Sequence, residues 1–439
     1  MRRRLWMIFA AGVAARAVVA CVADGSTPPP PVADGGLAES TPLVPPPTSD
    51  AGDAGDVNDG STPDADANVD VAWCSDAGWC TTRVPDPSIR FYALVPLERR
   101  AFALAWIAGR TTPLVFDGNQ WNVIAGKPWD DSTKDEQMLY ALAAPNDHEM
   151  WLGGTNGYFA HAIETNGSWS FTKIDLLTND TVQSIFAVDA TELFVATETR
   201  IYHHGGDAGD AGAPDAGDAD AGDAGDSVDG WVVEYRSPNI DAELKILRPD
   251  ATPVPVRFST LIGNSASDIW LFGRRAICSH IARRTSAGWA TLVDTLAARE
   301  TPGAPDSQVA CFARRGYVRT SPLTMPSMAG PGAFVAFSDT TAVMEGSMLP
   351  TRISVVQRGY LPSGTESLWQ VPDGPTRYAS GYATLMSNPD MVDGGTWAYS
   401  TISADGKTPT LRRFTTISGT SEKNMWVAGE SYALHRTLP

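Results

Sequence analysis

The chain has 439 residues, 43% of them hydrophobic, and a formal net charge of −18. That length and apolar content allow a large buried core, while the acidic balance, without a basic stripe, excludes a nucleic-acid-binding protein. The charge is uneven: residues 22–82 hold eleven acids and residues 205–230 hold eight, neither with any Lys or Arg, so with the four Arg of the first 21 residues set aside the rest is near −3.

The N-terminus reads "MRRRLWMIFAAGVAARAVVAC": three Arg, then an apolar run from Leu5 to Ala15. A run that short suits the core of a signal peptide and falls short of a bilayer span. Val18-Val19-Ala20-Cys21 resembles a bacterial lipobox, with Val where Leu is usual. The resemblance implies a lipoprotein signal peptide over residues 1–20, cleavage before Cys21 and a diacylglycerol on the Cys21 sulfur, making the membrane a partner through a lipid anchor. Val22 follows where Asp would signal retention, which implies the outer membrane, facing either the periplasm or the cell surface. The alternative is secretion after cleavage at Ala17. Residues 21–70, rich in Pro, Asp, Ala and Gly, read as a disordered tether.

With Cys21 lipidated, Cys74, Cys80, Cys278 and Cys311 remain, an even number that implies two disulfides in an oxidising compartment. The local pairing is Cys74–Cys80 and Cys278–Cys311; two other pairings are open. There is no Cys-x-x-Cys, so neither a redox motif nor a cysteine zinc site is indicated.

Residues 71–439 read as a repeat of short strands and turns. Anchoring each unit on an aromatic gives Trp106, Trp151, Phe194, Trp270, Phe334, Trp369 and Trp426. The third step shortens to about 50 residues once the acidic segment is removed, and units of 40–50 residues with four strands each are the signature of a β-propeller. The expected fold is all-β, a seven-bladed β-propeller with N-terminal strands closing the last blade. A two-sheet sandwich is the rival. Because the unit of Trp426 lacks the strand opened elsewhere by "GW", residues 77–97 ("AGWCTTRV" to "IRFYALVPL") are expected to supply its third and fourth strands. The phrases "SASDIWLFG" and "SEKNMWVAGE" resemble those of uncharacterised secreted β-propeller lipoproteins of Gram-negative bacteria. That resemblance implies a fold and an address but no ligand.

The acidic segment of residues 205–230 falls between "RIYHHGG" and "DGWVVEYR". It lacks the register of acids, Gly and Glu that a calcium loop needs, so it reads as a disordered hairpin connection. His161, His203 or His204, His280 and His435 follow their anchors by nine or ten positions. One repeated place in separate blades is a structural device, not a metal site. Most of the fourteen Trp, including Trp79, Trp169, Trp231 and Trp289, recur at repeat positions and read as core; Trp121 and Trp129 sit apart, Trp129 being the better rim contact.

Gly-x-Ser-x-Gly, His-Glu-x-x-His and the P-loop are all missing. Ser403 to Lys407 ("SADGK") is one partial copy of the Asp-box of sialidase-type propellers. No catalytic residue, cofactor or metal is assigned. The first reading is a binding or interaction module for a protein or glycan. A propeller-fold carbohydrate-active enzyme, hydrolase or lyase, and a scaffold subunit of an envelope complex are the alternatives.

Lengthening a surface loop costs little, about 0.6 kcal/mol per doubling. Excising residues 206–229 is therefore expected to leave the thermal midpoint within about 5 °C of the parent, and a larger drop in a melting curve would show that the segment supports the fold.

Overall fold

The structure, a computed structural model, describes residues 74–437 apart from 76, 127–137, 206–226, 229, 248–249, 251, 300–304, 306–308, 316–322, 339–341, 350–351, 362–363, 373, 383, 390–395, 401 and 403–411. The expectations for the signal peptide, Cys21, the tether, Trp129, residues 403–407 and most of the acidic segment lie outside the described residues.

The chain forms a seven-bladed β-propeller in which each sheet is antiparallel and built mainly from consecutive strands. Blade 1 is typical: Arg90–Pro96, Ala101–Ile107, Arg110–Phe116 and Trp121–Val123 run from the inner to the outer edge. Blades 2 to 6 begin at Leu139, Val182, Arg257, Leu323 and Thr365, and blade 7 at Phe414. Their inner strands contact one another in cyclic order, and that of blade 7 meets that of blade 1. The second strands show why: Glu149–Gly154, Leu193–Thr197 and Asn424–Gly429 are almost wholly buried, because both faces of a blade pack on neighbours. The core is accordingly seven wedges, one per interface.

Closure differs from the expectation in one respect. Blade 7 supplies its own third strand, Ala433–Thr437, and only Trp79–Thr82 joins it as the outer strand, with Trp79 opposite Arg436 and Thr82 opposite Ala433. The segment expected as the fourth strand is instead the inner strand of blade 1. The phrase "NMWVAGE" forms the second strand of its blade, behind the inner strand Phe414–Ser421, so the missing element was one strand, not two. Thr82 also donates its hydroxyl to the Ala433 carbonyl. Cys74–Cys80 and Cys278–Cys311 are both bonded.

Three anchors were out of phase. Trp151, Phe194, Trp270 and Trp426 hold one equivalent place, facing the following blade. In blades 1, 5 and 6 that place belongs to Phe102, Val335 and Tyr378. Trp106 lies at the far end of its strand with 37% exposure, and Trp369 is on an inner strand. Phe334 faces backward, against Trp270 and Phe272 with centroids 4.9 and 4.8 Å away. Gly346 makes this possible, since a Cβ there would meet the Phe334 ring. Trp121, set apart in the sequence, is buried and opens the outer strand of blade 1 as Trp79 and Trp231 do in blades 7 and 3.

Blade 4 carries an annex. Its outer strand extends over Gly288–Arg299 and pairs with Thr252–Pro253 and Val309–Arg315. A seven-residue helix, Asp241–Leu247, packs Leu244 against Leu296 and Ala298. Among the described residues no helix is long and apolar enough to cross a membrane.

Trp79 is 2% exposed and fills the wedge between blades 6 and 7. Trp79→Ala is expected to cost about 3–5 kcal/mol by chemical denaturation. A form starting at residue 84, which leaves the edge of Ala433–Thr437 unpaired, is expected to melt at least about 5 °C below one starting at residue 71; equal melting would exclude closure through Trp79–Thr82.

Candidate functional site

The histidines resolve into two groups. His161, His203 and His435 stand directly across from the anchor aromatic on the third strand of their blades. Each ring lies flat on its partner: His161 on Trp151 at 3.9 Å, His203 on Phe194 at 4.3 Å and His435 on Trp426 at 4.0 Å, all within 10° of parallel. A residue two places before each aromatic holds the other edge. Glu149 bonds His161 at 2.7 Å, Glu192 lies 3.4 Å from His203, and Asn424 accepts from His435 at 2.9 Å. In blade 4 the place opposite Trp270 is taken by Arg283, which stacks 5.2 Å above the ring and pairs with Asp268 at 2.8 Å. So His280 is not equivalent to the other three, and His203, not His204, is the member from blade 3. The spacing of nine or ten concealed a shift of three residues.

The partners two places before the aromatics also tie blades together. Asn424 donates to the Leu97 carbonyl of blade 1, and Asp268 accepts from the Gly332 amide of blade 5. Arg284 of blade 4 bonds Glu234 of blade 3, which also accepts from Trp289 Nε1. Burial would raise the Glu234 carboxyl, but hydrogen bonds from His203 and Arg284 and their charges hold it down to about 2.

His280 belongs to a separate buried chain. Tyr235 Oη lies 3.3 Å from His280 Nε2, and His280 Nδ1 lies 3.2 Å from Asp294. Arg275 donates to Asp294 and to the Val254 and Pro238 carbonyls. Burial opposes ionisation of Asp294, yet the His280 hydrogen bond and the Arg275 charge hold its carboxyl well below the usual range. The order Tyr–His–Asp resembles a relay, but the His280 and Asp294 side chains have no exposure and Tyr235 is spent on Thr291 at 2.7 Å. It pins Pro238 and Val254 to blade 4. Among the described residues no three His, Cys, Asp or Glu are grouped to hold a metal.

What remains is the surface, and its two faces differ. The lower face carries the turns from inner to second and from third to outer strands. Most are tight, as at residues 147–148, 166–167, 266–267 and 422–423. Gly205 and Gly230, which flank the acidic segment, also lie there. A shallow cleft of about 580 Å³ between blades 4 and 5 on this face is lined by Asn264, Asp268, Arg283 and Gly332, groups already bonded to one another in part.

The upper face carries the connections between blades, including residues 124–126, 174–181 and 237–247, and the annex braced by Cys278–Cys311. It also carries exposed large apolar side chains: Trp106, Met138, Leu177, Met325, Tyr360 and Tyr382, between 37% and 67% exposed. Met325 has a φ of +49°, a conformation costing of order 1 kcal/mol that presents its side chain at the channel mouth. Sequence reasoning picked none of these as a contact. Trp106 reads in the sequence as an anchor of the core; the others lie on the connections, which carry no period, at the start of blade 2 and in blades 5 and 6, where the repeat is weakest.

No family model matches the chain, and no curated protein matches it. Solved structures do. The chain is similar to a structure described as YCF48 bound to D1 peptide, at 12% identity and a TM-score of 0.50, over 84% of this chain and all of that one. It is also similar to YCF48 from Cyanidioschyzon merolae, at 12% identity and 0.52 over 82% and 99%, and to the RRP9 WD40 repeats, at 9% and 0.52 over 84% and 99%. At these identities the likeness shows the propeller fold alone, a fold compatible with an interaction module for proteins.

Burial holds the His435 imidazole down to about 4 against an ordinary 6.5. The unfolded chain therefore binds the proton first, and stability is lost as pH falls from about 6.5 to 4. Thermal midpoints across that window are expected to fall in the wild type and to fall less steeply in His435→Gln, which cannot charge; parallel slopes would remove His435 from the acid response.

Proposed function

We propose that this chain is a lipid-anchored, extracytoplasmic interaction module that binds a protein on the upper face of its propeller. The observation that carries this reading is the asymmetry of the two faces. Long connections, the disulfide-braced annex and the exposed aromatics gather on one side, while the tight turns lie on the other. Exposed apolar side chains brought to one face offer a partner surface to cover. Aromatic side chains are also the residues that most often anchor an interface. A propeller of the same fold has been solved with a peptide, which supports a protein ligand over a glycan.

The address rests on the lipobox-like Val18-Val19-Ala20-Cys21, the resemblance to secreted Gram-negative propeller lipoproteins, and two disulfides of the kind an oxidising compartment maintains. Attachment to the outer membrane through Cys21 follows from that reading.

In a Gram-negative host the wild type is expected to partition into the detergent phase of Triton X-114 and Cys21→Ala into the aqueous phase. A photo-crosslinker at position 106 or 382 is expected to capture a protein that one at position 119, on the lower face, does not. Equal partition of wild type and Cys21→Ala would remove the anchor. Equal capture at the three positions would remove the face.

A further inference from the structure

Blade 4 places two arginines directly opposite each other at its upper edge. Arg257 opens the inner strand and Arg274 is its register partner on the second strand. Partners in that relation share a face, with Cβ atoms about 5 Å apart, and like charges so placed destabilise a sheet. Both are exposed, and among the described residues neither guanidinium has an ion pair or hydrogen bond. Four arginines elsewhere in the propeller are ion-paired: Arg283 with Asp268, Arg284 with Glu234, Arg377 with Glu345 and Arg413 with Glu366.

The direction of the pair follows from alternation along the strand. Trp270 and Phe272 face blade 5, so Arg274, two further on, faces it as well. On blade 5, Phe334 and Ala336 face blade 4, and Ser338 continues that row opposite Leu323. Ser338 is fully buried, and its hydroxyl finds no hydrogen-bond partner among the described residues. A buried hydroxyl without a partner thus lies on the blade 5 side of this wedge, and two exposed cations without a protein partner lie on the blade 4 side. Holding two like charges side by side costs stability, and a ligand with acceptor oxygens bound across the arginines would relieve that repulsion.

We infer that the upper end of the wedge between blades 4 and 5 is an anion-recognition point, at which Arg257 and Arg274 bind carboxylates of an acidic peptide segment of the protein partner. The inference rests on the reading of the upper face as the contact surface and names the chemistry it takes there. The acids of residues 22–82 and 205–230 disfavour an extended polyanion such as a nucleic acid or an acidic lipid sheet, but a short segment with two or three carboxylates meets the local cations. Met325 and Tyr360, exposed on the inner and outer strands of blade 5, are apolar groups on the same face.

The test sorts a displayed library of random octapeptides against the full chain, then measures one selected peptide, fluorescently labelled, against variants. Selected peptides are expected to be enriched in Asp and Glu. Binding should weaken about tenfold or more, the equivalent of about 1.4 kcal/mol, in Arg257→Ala/Arg274→Ala. It should fall with added salt and be partly kept in Arg257→Lys/Arg274→Lys, since Lys retains the charge but not the fork. Relief of like-charge repulsion should hold or raise the melting temperature of the alanine pair, and Arg274→Gln alone serves if that pair misfolds. Peptides that crosslink to positions 106 or 382 but lack acids, or that bind the alanine pair unchanged, would overturn this inference and leave the contact face standing. Selected peptides that crosslink nowhere on the upper face would overturn both. Arginine-dependent binding of heparin or phosphatidylglycerol vesicles with no peptide selected would replace the acidic segment with a polyanion.

Discussion

Everything in this molecule depends on sheets packing face to face in a closed ring. A blade has two apolar faces and cannot bury either alone, so each wedge is stable only when the blades on both sides are present. The ring therefore has to close, and the closing contact is a four-residue strand from the opposite end of the chain. Trp79 gives that strand its hold. A buried indole removes some 150–250 Å² from water, worth about 4–6 kcal/mol at the usual coefficient. Four backbone pairings without it would leave a frayed edge.

The same constraint explains the stacked histidines. A wedge narrows toward the channel and widens outward, and flat rings laid on flat rings fill it without bulk. His161 on Trp151 and His435 on Trp426 do this, and their outer nitrogens are held by Glu149 and Asn424. Blade 4 keeps the geometry with Arg283 and Asp268, because a guanidinium is also planar. The device fixes the angle between strands and, through Asn424 and Asp268, the contact with the next blade.

Because the interior is committed to packing, chemistry is left to the edges. The buried Tyr235–His280–Asp294 chain is closed to solvent and spends its groups on the annex. The upper face, whose side chains no wedge constrains, holds the aromatics and the unpaired arginine couple. A binding function there leaves the packing of the wedges untouched.

The sequence alone determined the strand period, the number of blades and the place of the acidic segment between two strands of blade 3, because buried second strands must be apolar and their turns polar. "DIWLFG" and "NMWVAG" carry that pattern in full. It could not phase the weaker blades: Trp106, Phe334 and Trp369 satisfy an aromatic period equally well, and only the pairing of strands puts Phe102, Val335 and Tyr378 in the wedge. Nor could it separate His280 from the other histidines, since three residues of register are invisible without the partner strand. Arg257 and Arg274 are seventeen residues apart in the chain and become neighbours only across an antiparallel hairpin. Ser338 joins them only when blade 5 is set against blade 4. Local pattern records what each strand must bury; which charges meet at a face is decided by how the blades come together.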